Sequence, residues 1–205
     1  MTTLTRFLAS PAPPAPAPAS EPEAALLDAA RRGDAGPLFE AYKDWVFSVA
    51  IHLTGDPAEA ADVSQDVFVK LLAQLHDFDG GRARFTTWLY RIVCRTAADR
   101  SRSWRATAAI RRWWRERRSR ADAASRPDEI AERSEVRDRV RAALSALDPD
   151  VRAALTLRYV ARLSYIEVGE VLGLAPGTVA TRIRRGHREL GARLRECTGD
   201  EGGGR

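Results

Sequence analysis

Between Glu23 and Arg195 apolar residues recur three and four positions apart, and no stretch alternates with period two for long. That spacing lines one face of a 3.6-residue helix and does not suit half-buried strands, so the chain is read as all-α. The predicted helices run over Glu23 to Arg32, Pro37 to Leu53, Pro57 to Leu75, Phe85 to about Ser103, Pro127 to Leu147, Pro149 to Val160, Tyr165 to Leu172 and Pro176 to Arg195. Their breaks fall at RRGDAG, TGDP, HDFDGGR, LDPD, ARLS and GLAPG, each with the Gly, Pro, Asp or Ser of a cap or turn. Residues 104 to 126 mix Trp, Arg, Ala and Ser without a clean stripe and read as a partly helical linker. Two small helical domains are therefore expected, at 24–105 and 128–196, joined by a basic flexible linker at 106–127. A disordered Pro/Ala-rich tail (1–23) and a flexible tail (197–205) lie outside them.

With 205 residues, neither domain is large enough for a deep multi-layer core. The longest uncharged apolar stretch, Trp45 to Gly55, is well short of the ~20 residues of a membrane span, and the start of the chain lacks the order of a signal peptide. A cytoplasmic protein without membrane insertion is expected. Cys94 and Cys197 cannot build a disulfide framework and match no zinc spacing with His52, His76 and His187, so no metal site and no cofactor are expected. Nor are there paired carboxylates beside a metal ligand, a Gly-rich phosphate loop or a His set beside a nucleophile, which argues against an enzyme.

The net charge of +5 conceals a strong division. Residues 1–81 carry −7, residues 82–120 carry +11 and residues 121–205 carry +1. An acidic block beside a concentrated Arg block suits a basic partner and a polyanion, or else Arg is simply the preferred cation on solvated faces, since the chain has 31 Arg and 2 Lys.

The sharpest local signal is C-terminal. Ser164, Tyr165, Ile166 and Glu167 fit a capping box, the helix they open ends at Gly173, and Pro176 restarts the chain where a missing N–H costs nothing. A short helix, a tight turn and a longer helix form a helix-turn-helix. In the second helix Val179, Ile183, Gly186, Leu190 and Leu194 share one face, and Thr178, Thr181, Arg182, Arg185 and Arg188 the other. Six Arg against one Glu between Pro176 and Arg195 give a donor-rich surface able to meet phosphates and guanine edges. An ordinary amphipathic helix with a solvated Arg face is the alternative, but the cap, the turn and the charge together favour DNA binding.

Two helices of the N-terminal half carry further candidates. From Pro57, Val63, Val67, Leu71 and Leu75 make a core stripe, while Glu59, Asp62, Gln65, Asp66 and Val69 lie opposite. Asp62 and Asp66 are four apart, a like-charge spacing that costs an isolated helix a few tenths of a kcal/mol, roughly. Such a face is either solvated or kept for a basic partner. In FTTWLYRIVCRTAADRSRSWR, Trp88, Leu89, Ile92 and Val93 form the core stripe, with Arg84, Phe85, Thr86, Tyr90, Arg91, Arg95, Asp99 and Arg100 around it. Aromatics interleaved with Arg suit single-stranded nucleic acid. Phe85 and Thr86, beside the DGGRAR loop, are best placed for a splayed base, whereas Trp88 reads as core.

Together these residues resemble the extracytoplasmic-function sigma factors of the sigma-70 family. The resemblance is carried by RRGDAGPLFEAYKDWVFSVA, LTGDPAEAADVSQDVFVKLL, FTTWLYRIVCRTAADRSR, ALDPDVRAALTLRYVARLSYIEVGEVLGL and PGTVATRIRRGHREL, in that order. It implies a region 2 helical bundle and a region 4 helix-turn-helix, with no catalysis. Asp62, Val63, Gln65, Asp66 and Phe68 would bind the Arg-rich coiled coil of the largest-subunit clamp of core RNA polymerase. Arg84, Phe85, Thr86, Arg91, Arg95, Asp99 and Arg100 would capture and melt the −10 element of promoter DNA. Thr178, Ala180, Thr181, Arg182, Arg185 and Arg188 would address the −35 duplex, and an anti-sigma factor is an expected partner. The sequence departs from the family pattern at Ala61, where an acid is usual, Arg95 (Asn), Gly169 (Ala) and Ala180 (Lys). Arg95 offers only donors and suits phosphate better than a base. The competing reading, a helix-turn-helix regulator that is not a polymerase subunit, accounts for residues 149–195 but not for the acidic and aromatic-basic helices.

Overall fold

The computed structural model describes residues 21–105, 140 and 142–198, and among them the regular structure is entirely helical. The elements are α1 (Glu21–Arg31), α2 (Gly36–Thr54), α3 (Pro57–Gln74) with a 3₁₀ turn at Leu75–Asp77, α4 (Phe85–Arg105), α5 (Pro149–Tyr159), α6 (Tyr165–Leu172) and α7 (Pro176–Thr198). Each predicted helix among these residues is present within three residues at either end. Of the helix expected from Pro127 to Leu147, residues 142–145 are helical, and the part before Val140 lies outside the described residues, as do the linker at 106–127, residues 1–20 and residues 199–205.

The N-terminal tail ends earlier than expected, since α1 already begins at Glu21. Its anchor is Glu23, a buried carboxylate that accepts a 2.9 Å hydrogen bond from the Tyr42 hydroxyl. A Pro/Ala-rich approach disguised that start. Elsewhere the punctuation works as the residue types dictate. The Asp56 side chain accepts from the backbone N–H groups of Ala58 and Glu59 with Pro57 next to it, and Gly55 ends α2 in the left-handed conformation at φ 79°.

Helices α2, α3 and α4 pack around a core that includes Tyr42, Val46, Val63, Leu71 and Leu89, all at most 1% exposed. In the C-terminal unit α5 and α6 pack on α7 around Val151, Leu155, Val168, Val179, Ile183 and Leu190. The buried residues of the two units form one continuous cluster, because α5 also packs on α2 and α6 on α4.

The turn of the helix-turn-helix is unusually close. Gly173 is left-handed at φ 69°, and the N–H groups of Gly173 and Leu174 both donate to the Gly169 carbonyl. A Cβ on Gly169 would stand 2.5 Å from the Leu174 carbonyl oxygen, so the glycine admits the backbone of the turn itself. Gly169→Ala, toward the family's usual residue, gains ~1 kcal/mol of helix propensity. It must also displace backbone, at a cost of about 1–3 kcal/mol. The expected result is a net loss of stability, read as a lower denaturant midpoint for α6–α7; a higher midpoint would show that the turn relaxes freely.

Candidate acidic docking face and nucleic-acid interfaces

The core stripe of α3 is as its spacing dictates, with Val63, Val67 and Leu71 fully buried and Leu75 1% exposed. Asp62, Gln65 and Asp66 face outward. Asp62 and Asp66 are joined by a residue from the neighbouring helix: Arg100 of α4 donates through Nη2 to Asp62 Oδ2 at 2.7 Å and through Nη1 to Asp66 Oδ2 at 2.5 Å. The like-charge spacing is thus answered inside the chain. In the same seam Lys70 of α3 donates to Thr96 Oγ1 at 3.1 Å and lies 3.9 Å from Asp99 of α4.

Beside the acidic pair is an apolar margin that the sequence reading passed over. Phe39, Phe47, Val69 and Leu72 are exposed, Phe39 meets the Phe68 ring edge-on at 4.7 Å, and Phe39, Phe47, Gln65 and Phe68 line a shallow groove of about 250 Å³. The signal was present in α2, where Phe39 and Phe47 stand eight apart with Lys43 between them, a second apolar stripe beyond the core one. Val63, expected to touch a partner, cannot do so from its place inside the bundle. Its position one residue after Asp62 turns it by about 100° into the core stripe.

On α4 the structure corrects one assignment and relocates others. Phe85, expected to meet a splayed base, is 1% exposed and has ring neighbours Tyr42 at 5.2 Å, Phe78 at 5.5 Å and Trp88 at 5.8 Å. The reason is its period, since Phe85, Leu89, Ile92 and Val93 fall on one face. Tyr90 is likewise fully buried, and Thr86 is half-buried. Arg84 pairs with Glu167 of α6 at 3.3 Å, and Arg91 donates through Nε and Nη2 to the Glu170 carbonyl at 3.1 and 2.8 Å. Arg95 is exposed and forms no ion pair among the described residues. A groove of about 350 Å³ between the two units is bordered by Arg91, Cys94, Arg95, Asp150 and Glu170. Burial pushes the Cys94 thiol up to about 12, far from a reactive thiolate.

The recognition-helix candidates lie on one outer face. Thr178, Thr181, Arg185 and Arg188 are exposed, while Ala180 and Arg182 are half-buried. Two of the arginines have acidic partners within the unit, Arg182 with Asp150 at 3.2 Å and Arg185 with Glu189 at 2.6 Å. Arg184 and Arg188 form no ion pair among the described residues. Arg184, which the sequence reading left out, is exposed and lies three residues after Thr181 and four before Arg188, so helical arithmetic alone would have included it.

The capping box that starts α6 is complete. The Ser164 hydroxyl accepts from the Glu167 N–H at 3.3 Å, and a Glu167 carboxylate oxygen accepts from the Ser164 N–H at 2.8 Å. These hydrogen bonds to Ser164, with a smaller contribution from Arg84, hold the Glu167 carboxyl below its ordinary 4.5. A carboxylate depressed in the folded state adds stability above its unfolded value and loses it as pH falls through the folded one. In thermal melts, wild type and Glu167→Gln should therefore differ most near neutral pH and converge as pH drops below 4.5. A constant difference would place the stabilisation elsewhere.

Sequence and structure comparisons agree with this arrangement. Sigma-70 region 2 matches residues 38–107 and sigma-70 region 4 matches residues 137–190. Over 166 residues the chain is 30% identical to the ECF RNA polymerase sigma factor SigW of Bacillus subtilis, covering 78% of this chain and 88% of that one. The chain belongs to the extracytoplasmic-function sigma factors. The RNA polymerase sigma-H factor of Pseudomonas aeruginosa is 32% identical to this sigma factor over 179 residues, 80% of this chain and 90% of that one. The solved structure of CnrH in complex with the cytosolic domain of CnrY superposes with a TM-score of 0.59 at 26% identity, covering 83% of this sigma factor and 95% of that chain. Among the described residues no helix of this sigma factor is long and apolar enough to cross a membrane, and no group of three His, Cys, Asp or Glu could hold a metal.

Proposed function

We propose that this sigma factor docks on core RNA polymerase through Asp62, Gln65, Asp66 and the apolar margin of Phe39, Phe47, Val69 and Leu72, with the largely buried Phe68 lining the groove beside Phe39 and Phe47, and places α4 and α7 on promoter DNA. The observation that carries the docking is an outward pair of half-exposed carboxylates beside exposed aromatics on one side of a bundle. Such a surface fits the basic coiled coil of the largest-subunit clamp, since charge steers the encounter and apolar contact holds it. The role is non-catalytic and cytoplasmic, with binding as the source of free energy. Val63 and Phe85 support their faces from within the core.

Arg84, Thr86, Arg91, Arg95, Asp99 and Arg100 form the −10 face, with Arg95 on phosphate. Thr178, Ala180, Thr181, Arg182, Arg184, Arg185 and Arg188 form the −35 face. A duplex rises ~3.4 Å per base pair, so elements about 25 base pairs apart lie roughly 85 Å from one another. In the packed arrangement α6 holds Arg84 and Arg91. Engaging both elements therefore requires the units to part, and the 22 residues of the expected linker at 106–127 can span about 75 Å when extended, to which the breadth of the two units adds. An anti-sigma factor that keeps the units together would hold Arg84 and Arg91 against α6 and prevent the two elements from being engaged at once. The solved relative CnrH is in complex with the cytosolic domain of CnrY.

Run-off transcription by core polymerase with the purified chain, over a library of promoters, tests the reading: promoter-specific transcripts are expected, and failure to bind core would sink it. Within that assay Arg184→Ala should weaken binding to all −35 duplexes alike and lower the salt slope by about 1, as a phosphate contact does. Arg182→Ala or Arg185→Ala should cost about 1–3 kcal/mol at the bases read. An unaltered promoter profile in both would remove α7 as the reading helix.

A further inference from the structure

The like-charged pair on α3 is held by a single fork from α4. Arg100 sends one nitrogen to each carboxylate, and its side chain is 27% exposed, against 57% for Asp62 and 44% for Asp66. The guanidinium is the inner partner, and the carboxylates keep their outer surfaces open. Resting on the reading that these carboxylates meet polymerase, we propose that Arg100 is an internal stand-in for the polymerase cation: docking exchanges Arg100 for the partner's basic groups, and the released guanidinium turns to a backbone phosphate of the −10 strand.

The physical basis is competition for the charge of the same two carboxylates. Both bonds use Oδ2, and a carboxylate shared between two cations binds each less well than it binds one. While Arg100 is in place the acidic face presents about one negative charge where its sequence carries two, so free chain meets basic surfaces weakly. Arg100 also sits on the helix that bears Arg91 and Arg95, one to three turns from them. The exchange thus links polymerase docking to −10 capture through one side chain. Arg100 is then a positioning residue for the first event and a phosphate contact in the second.

The test measures core polymerase binding by fluorescently labelled full-length chain across a salt series, for wild type, Arg100→Ala, Arg100→Lys, Asp62→Asn with Asp66→Asn, and the triple variant. Arg100→Ala should tighten core binding about three- to tenfold with a steeper salt dependence, as removal of two exposed ion pairs would allow. Arg100→Lys, which keeps the charge but not the fork, should fall between it and wild type. On the Asn pair, loss of Arg100 should change core affinity by less than twofold. Unchanged or weaker binding by Arg100→Ala overturns the exchange, and so does an equal gain on the Asn background, which would mark a diffuse charge effect. Wild-type core affinity in the Asn pair would instead remove the docking reading itself. With holoenzyme assembled at saturating chain, Arg100→Ala should lower the salt slope of promoter binding by about 1. An unchanged slope overturns the phosphate half of the proposal.

Discussion

Asn in place of both Asp62 and Asp66 is expected to lower affinity for core RNA polymerase by about two to four orders of magnitude while the chain stays folded. Close charge pairs across an interface couple by about 1.5–7 kcal/mol, and two carboxylates at the low end of that range give roughly 3–5 kcal/mol. Asn preserves shape and one acceptor oxygen, so Arg100 keeps a hydrogen-bond partner on each side of its fork. Exposed pairs of this kind contribute about 0–1 kcal/mol each to stability, so the melting curve should move little. Charge reversal, the obvious alternative from sequence, is the poorer experiment: Arg at 62 and 66 would set three guanidinium groups around one point and confuse unfolding with lost docking. Core binding by fluorescence titration, beside a thermal melt, separates the two. Affinity within a few-fold of wild type would mean that the acidic pair serves only its bridge to Arg100.

Much of this could be read before any coordinates, for identifiable reasons. Helix starts at Pro57, Pro149, Tyr165 and Pro176 follow from the caps and prolines there, which are local chemistry. What escaped was decided between elements. Nothing in the spacing of α3 says which cation faces Asp62, because Arg100 is 38 residues away and reaches them only once α3 and α4 are packed. Glu167 reads as a capping residue and is one, yet it also meets Arg84, just before α4, a second partner that depends on the two units lying together. Phe85 and Val63 illustrate a different error. Their burial was legible in the period of their own helices, but adjacency to a motif outweighed it. Phe39 and Phe47 were legible too, as an apolar pair on the side of α2 away from Tyr42 and Trp45.

The C-terminal unit depends on one absent side chain more than on any present one. Gly186 lies in the middle of α7, where the helix crosses α5, and a Cβ there would stand 2.7 Å from Leu155 Cδ1 and 2.8 Å from Val151 Cγ1. Both neighbours are at most 1% exposed, so neither has solvent to turn into. Gly186→Val adds a branched group at this crossing and forces α7 away from α5, at a cost on the order of 3 kcal/mol. Domains are stable by only about 5–15 kcal/mol, and a unit of this size sits low in that range. The recognition face moves with α7, and the Arg182 to Asp150 pair that spans α7 and α5 is broken by the same displacement. The expected result is faster hydrogen exchange along α7, a lower melting temperature and at least a tenfold loss of −35 duplex binding. Core affinity, which the proposed docking assigns to α3 on the other unit, should stay within about twofold. Gly186→Ala should lie between, since one methyl still falls inside contact distance of both side chains. Wild-type exchange in the Val variant would show that Leu155 and Val151 can repack, and that the close crossing does not set the position of the recognition helix.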